Sequence, residues 1–177
     1  MMIKYAQAHR VPWANGGGHT SELVSWERSS ALSPAGAPAW RLSIAELEGP
    51  AAFSSIPGVR RHFLPIGSSV TLAVNGVPRR IPDHTVTEFA GDDDVELREL
   101  DRAPGHAINL MVRGCADTGP WLRVGVTDDE AFRGCLLAVA LEQAGDIDRF
   151  DVLTPDPTAI PGHPLRFALI TTTGTGC

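Results

Sequence analysis

Lysine occurs once in this 177-residue chain, at Lys4, cysteine three times, and aromatic residues make up only 6% of it. With so little lysine and a net charge of -6, the chain lacks the concentrated positive field that a phosphate backbone requires, and no arginine-rich run replaces it. Nucleic acid is not expected as a partner. Of the 15 basic residues the other 14 are arginine, which a GC-rich coding sequence explains as readily as a preference for bidentate anion contacts. Cys115, Cys135 and Cys177 form neither an even disulfide set nor a metal-spaced pair, so reduced thiols in a cytoplasmic compartment are the expectation. No stretch approaches the ~18 apolar residues of a membrane span. The opening MMIKYAQAHRVPW has no basic segment followed by an apolar core. Neither export nor membrane insertion is expected.

What is present is a hydrophobic fraction of 43%, broken throughout by 14 prolines and 18 glycines. Short apolar runs between turn residues punctuate strands rather than long helices. Candidate strands cover residues 3–8, 21–26, 40–47, 61–66, 70–74, 85–89, 95–100 and 108–112, with a second series over 121–127, 136–141, 150–153 and 165–170. About a dozen such strands predict an all-β sandwich or barrel. Asn75-Gly76 is the strongest hairpin signal, because both central residues of a type I′ turn need positive φ. The stretch 130–144 reads as a helix interrupted by Gly134 or as a buried strand, and a strand from Leu136 is preferred. The tail 171–177 is expected to fray.

Several segments can carry chemistry. In Trp13-Ala14-Asn15-Gly16-Gly17-Gly18-His19-Thr20-Ser21-Glu22 the three glycines imply a close approach to the backbone. Either the loop's N–H groups, the Asn15 amide and the Thr20 hydroxyl line a polar pocket, or the run is a tight turn or bulge. No Gly-Lys-Ser/Thr follows, so it is not a phosphate-binding P-loop. In Trp40-Arg41-Leu42-Ser43 alternation puts Arg41 and Ser43 on one strand face, where a guanidinium fork and a hydroxyl can hold a carboxylate; exposure of that face is the plainer alternative. Arg60 and Arg61 follow the Pro57-Gly58 turn and point to opposite faces, so at most one faces a pocket. Asn109 shares a face with Met111 in an apolar strand and needs a partner if buried. Asp92-Asp93-Asp94 reads as a solvated turn rather than a metal clamp.

Taken in order, WxNGGGxTxE at 13–22, WRLSIAEL at 40–47, FSxxPGxxR at 53–61, Phe89-Ala90-Gly91-Asp92 and Asn109-Leu110-Met111 resemble the HutD/Ves family. The resemblance is strong over residues 1–115; the rest matches by length and strand pattern only. The family typically has a basic residue where Ala14 stands, so any contact it makes there is missing. The resemblance implies a cupin-like double-stranded β-helix (RmlC-like jelly roll) in a bicupin arrangement. Residues 1–115 would form the half that carries the motifs and 116–177 the second half, packed as one unit and often a homodimer. It also implies a role in histidine utilisation, by binding N-formylglutamate or a related carboxylate, with Ves members linked to stress responses. Motif matching places the ligand pocket on Asn15, Gly17, Thr20, Arg41, Ser43, Arg60 and Asn109.

No catalytic residue, cofactor or metal ligand is assigned. A metal-dependent cupin needs two histidines one residue apart and a following glutamate. Pro82-Asp83-His84-Thr85-Val86-Thr87-Glu88 keeps the second histidine and the glutamate, but Pro82 stands where the first would be and cannot ligate. His9, His19, His62, His106 and His163 show no short ligand spacing. No nucleophile elbow or Cys/His motif is present. An acid–base role for His19 or Glu22 beside the glycine loop stays open, as does a protein–protein regulatory module, which would have no buried polar pocket.

Overall fold

A computed structural model describes residues 1–114, 119–127, 132, 134–155 and 164–172. Cys115, Cys177, His163 and most of the expected fraying tail lie outside these, as do parts of 130–144. Among the described residues, 15 strands form three sheets. The six-stranded sheet runs β2 (Arg10–Pro12), β3 (Gly18–Val24), β4 (Trp40–Leu47), β11 (Gly105–Arg113), β6 (Val59–Ile66) and β9 (Thr87–Ala90). A four-stranded sheet contains β5 (Ala51–Ala52), β10 (Val95–Leu100), β7 (Val70–Val74) and β8 (Val77–Ile81). The third sheet has β1 (Met2–Ile3), β14 (Val152–Leu153), β13 (Leu137–Ala140), β15 (Arg166–Thr171) and β12 (Trp121–Val126). All named pairings are antiparallel.

The six-stranded sheet belongs to two cores. On one face Leu42, Ile44, Leu64, Ile108 and Leu110 pack with Leu137, Val139 and Ile170 of the five-stranded sheet. On the other, Ala45, Leu47, Phe63 and Ala107 pack with Leu72, Val74 and Leu97 of the four-stranded sheet. That double burial explains why every residue of β6 is buried. It also explains why its sequence, VRRHFLPI, shows no polar–apolar alternation, since strands covered on both faces lose the period-2 signal.

Asn75 (φ 51°) and Gly76 (φ 78°) make the expected tight turn, with Val74 opposite Val77. Asp93 accepts from Asn75 Nδ2 at 2.8 Å and the Asp94 N–H donates to Asn75 Oδ1 at 3.0 Å, so the acidic triplet braces this hairpin. Three expectations are corrected. The strand over 3–8 shrinks to β1, which is followed by a 3-10 turn at Tyr5–Gln7. β3 starts within the glycine run, at Gly18 rather than at residue 21. Trp26 does not end a strand but opens α1 (Trp26–Ser29), because the Ser25 hydroxyl accepts the Arg28 N–H and caps it.

β1 pairs with β14, placing the chain's first strand in the sheet otherwise built from its C-terminal part. Asp151, fully buried, fastens this junction by accepting from Lys4 Nζ at 2.7 Å and from the Tyr5 N–H at 3.0 Å. No helix among the described residues is long and apolar enough to cross a membrane.

Candidate functional site

A cavity of about 640 Å³ opens on the face of the six-stranded sheet that carries Phe63 and Ala45. Strand register sets its floor. Across β3, β4 and β11, Glu22 stands beside Ser43 and Ser43 beside Asn109. One step along, Arg41 stands beside Met111 and Met111 beside Arg61. All six line the cavity, because residues opposite one another in a ladder share a face. Trp13, Ala14 and Asn15 close one side, and Phe53, Ser54 and Ile56 another.

Of the seven residues selected from sequence, Asn15, Thr20, Arg41, Ser43 and Asn109 line the cavity and Gly17 and Arg60 do not. Gly17 supports the wall from behind: its N–H donates to Asn15 Oδ1 at 3.1 Å, and a Cβ there would meet Ala51 Cβ at 2.4 Å. At Gly18 a Cβ would lie 2.0 Å from the Glu46 carbonyl oxygen. The close approach implied by the glycines is therefore made by the chain's own β4–β5 segment. The Asn15 Nδ2 donates to the Ala52 carbonyl at 3.2 Å, and Trp13 Nε1 donates to Thr20 Oγ1 at 2.7 Å. These groups hold the loop in place.

Arg61, not Arg60, is the arginine of this strand pair that faces the cavity. It is 6% exposed, and its guanidinium lies 5.2 Å from the ring centroids of both Phe53 and Phe89. One amino group donates to the Ser54 carbonyl at 3.2 Å, while Nε is buried without a hydrogen-bond partner. Burial first, and then the charge of Arg41, pull its pKa down to about 10. Asn109, also 6% exposed, buries an unpartnered Oδ1 on the same face. Leaving such groups unpaired costs about 1–3 kcal/mol each, more for a charge. At the mouth, Arg41 Nε donates to Glu22 Oε2, and both side chains keep access to solvent.

Arg60 points the other way and is enclosed. Its guanidinium carbon lies 3.9 Å from the Trp121 ring centroid, and it donates to the Pro120 carbonyl and to His62 Nε2, both at 3.1 Å. His62, fully buried, is held neutral, with its pKa lowered to about 4 by burial and then by Arg60. Its Nδ1 lies 3.2 Å from Glu88 Oε1 but outside hydrogen-bonding geometry.

His19 also faces away from the cavity, so it and Glu22 do not share a site. Its Nδ1 sits 2.7 Å from Glu48 Oε1, and His19, Glu46 and Glu48 bring one ligand atom each within 4.8 Å of one another. Arg10 already supplies the positive charge there, donating to Glu46 at 2.6 Å. His84 pairs with neighbouring Asp83 at 3.0 Å. Sequence reasoning overlooked Trp13 and Phe53 as walls. Their place beside the glycine run and the Pro-Gly turn was the available signal.

A sequence-family model described as HutD matches residues 5–143. An uncharacterized 21.2 kDa protein in the hutC 3′ region of Pseudomonas putida is 34% identical over 93 residues, 51% of this chain. The matched segment spans 47% of that relative's own length. Among solved structures, a conserved protein of unknown function from Pseudomonas aeruginosa PAO1 gives a TM-score of 0.69 at 19% identity, over 98% of this chain and 99% of that one. HutD from Pseudomonas fluorescens SBW25, in a formate condition, gives 0.65 at 23% identity over the same shares of the two chains. At these identities the two structures share the fold with this chain.

Proposed function

The chain belongs to the HutD family, and from that premise we propose that it is a small-molecule-binding protein. Its ligand is a carboxylate of histidine utilisation, such as N-formylglutamate, and binding modulates that pathway. One observation carries the reading: Arg61 is a buried guanidinium, partly unpartnered and set against the rings of Phe53 and Phe89, at the wall of a cavity large enough for a small metabolite. An isolated buried cation is costly, and an anionic ligand that pairs with it recovers that cost. The unpartnered Asn109 Oδ1 on the same face calls for an N–H or O–H on the ligand. A formamide N–H beside a carboxylate meets both demands. The reading extends to a cytoplasmic bicupin homodimer with cupin-like halves at 1–115 and 116–177, which a sedimentation measurement checks for its oligomeric part.

The test is calorimetric titration with N-formylglutamate, formiminoglutamate, urocanate and glutamate, with formate as a fragment control. Saturable binding of one of these acids, lost in Arg61→Met, is the expected result. If none binds, or if Arg61→Met binds as well as the unaltered protein, the assignment fails.

A further inference from the structure

Arg61 is not the cavity's only cation. Arg41 stands on the same row, with Met111 between them, so their backbones are about 10 Å apart by the strand spacing. The two differ in what they already hold. Among the described residues Arg61 has no acidic partner, whereas Arg41 is taken by Glu22. Among the described residues that line the cavity, Glu22 is the one carboxylate and Arg41 and Arg61 are the two arginines, which leaves one open positive charge.

Resting on the carboxylate reading above, we propose that Glu22 is a built-in competitor for the ligand. It occupies Arg41 and so raises the concentration at which a dicarboxylate can fill both arginines. A monocarboxylate needs only Arg61 and meets no competition. A dicarboxylate of similar length must push the Glu22 side chain off Arg41 to gain its second ion pair, and the freed carboxylate then faces two negative charges. Glu22 is suited to such displacement because its side chain is 41% exposed and can be rehydrated when it swings out. The second carboxylate therefore contributes less than the bidentate chemistry of arginine would otherwise allow.

The experiment compares butyrate with glutarate as calorimetric probes of the full chain carrying Glu22→Gln, Arg41→Gln or both. Glu22→Gln is expected to tighten glutarate by about tenfold or more while moving butyrate by less than about twofold. In the Arg41→Gln background Glu22→Gln is expected to give no selective gain for glutarate, a coupling that a merely structural role would not produce. An equal gain for both acids, no gain for glutarate, or a gain that survives Arg41→Gln overturns the competitor role while leaving the carboxylate reading standing. Failure of every protein to bind either acid overturns the competitor role, and the carboxylate reading falls with it where the histidine-pathway acids also fail to bind.

Discussion

Arg60 and Arg61 are neighbours, 8% and 6% exposed, on a strand buried along its whole length, yet their surroundings are opposite. Arg60 enters the interface between the six- and five-stranded sheets, where a tryptophan face, a carbonyl and an imidazole receive it. Arg61 enters the cavity, where two rings and one carbonyl leave part of it unsatisfied. Burial is nearly equal in the two cases, so burial alone does not separate a structural arginine from a binding one. The number of partners left over does.

Four measurements sharpen or break this contrast. The largest effect belongs to Arg61→Met, which should weaken binding of the responsive carboxylate at least about 100-fold, roughly 3 kcal/mol. Thermal stability should stay level or rise, because a methionine of similar reach needs no counter-charge there. A clear loss of melting temperature with affinity intact would reverse the roles of the two arginines.

The second concerns pH on the Arg60 side. His62 has a folded pKa near 4, below its ordinary 6.5, so protons bind the unfolded chain first. The contribution of His62 to stability is full above about pH 6.5, declines as pH falls from there, and is exhausted near pH 4 after a loss of roughly 3 kcal/mol. Chemical denaturation across this window checks it, and His62→Gln should flatten that segment of the profile. A profile unchanged by the substitution would mean the imidazole is not the titrating group.

Third, Arg60→Met should cost about 2 kcal/mol of stability through the lost carbonyl bond and ring contact. That corresponds to a fall of about 4–8 °C in melting temperature for a chain of this size, with carboxylate affinity unchanged. The smallest effect is expected for Trp13→Phe, which keeps the ring contact with Phe53 but removes the bond to Thr20. It should cost about 1 kcal/mol and loosen ligand binding only a few-fold.

The same contrast shows where sequence reading stops. β4, β7 and β10 were legible to the residue, because each is a run of apolar or alternating residues bounded by turn chemistry. The cavity floor was largely legible as well, since Arg41 and Ser43 share a face of β4 by alternation and Asn109 is the one polar side chain within the apolar run Ile108-Asn109-Leu110-Met111-Val112 of β11. β6 gives no such clue. With both faces covered, either arginine satisfies the pattern, and only the neighbouring strands decide that Arg61 sits in the row of Met111 and Arg41. The glycine run was misleading in another way, for its tight approach is to Ala51 and Glu46 rather than to a ligand. β5, two residues long, carries no periodic signal at all.

The pairing of Met2 with Leu153, and of Lys4 with Asp151 beside it, also has a consequence in time. During synthesis the first strand emerges long before its partner exists, and it has to stay uncommitted while the middle sheet assembles from nearer neighbours. Closing so long a loop carries an entropy cost that grows only slowly with length, but contacts this distant in sequence form late. The β1–β14 pairing is therefore expected among the last to form, and until it does the edge of β14 is open to any other strand that reaches it first.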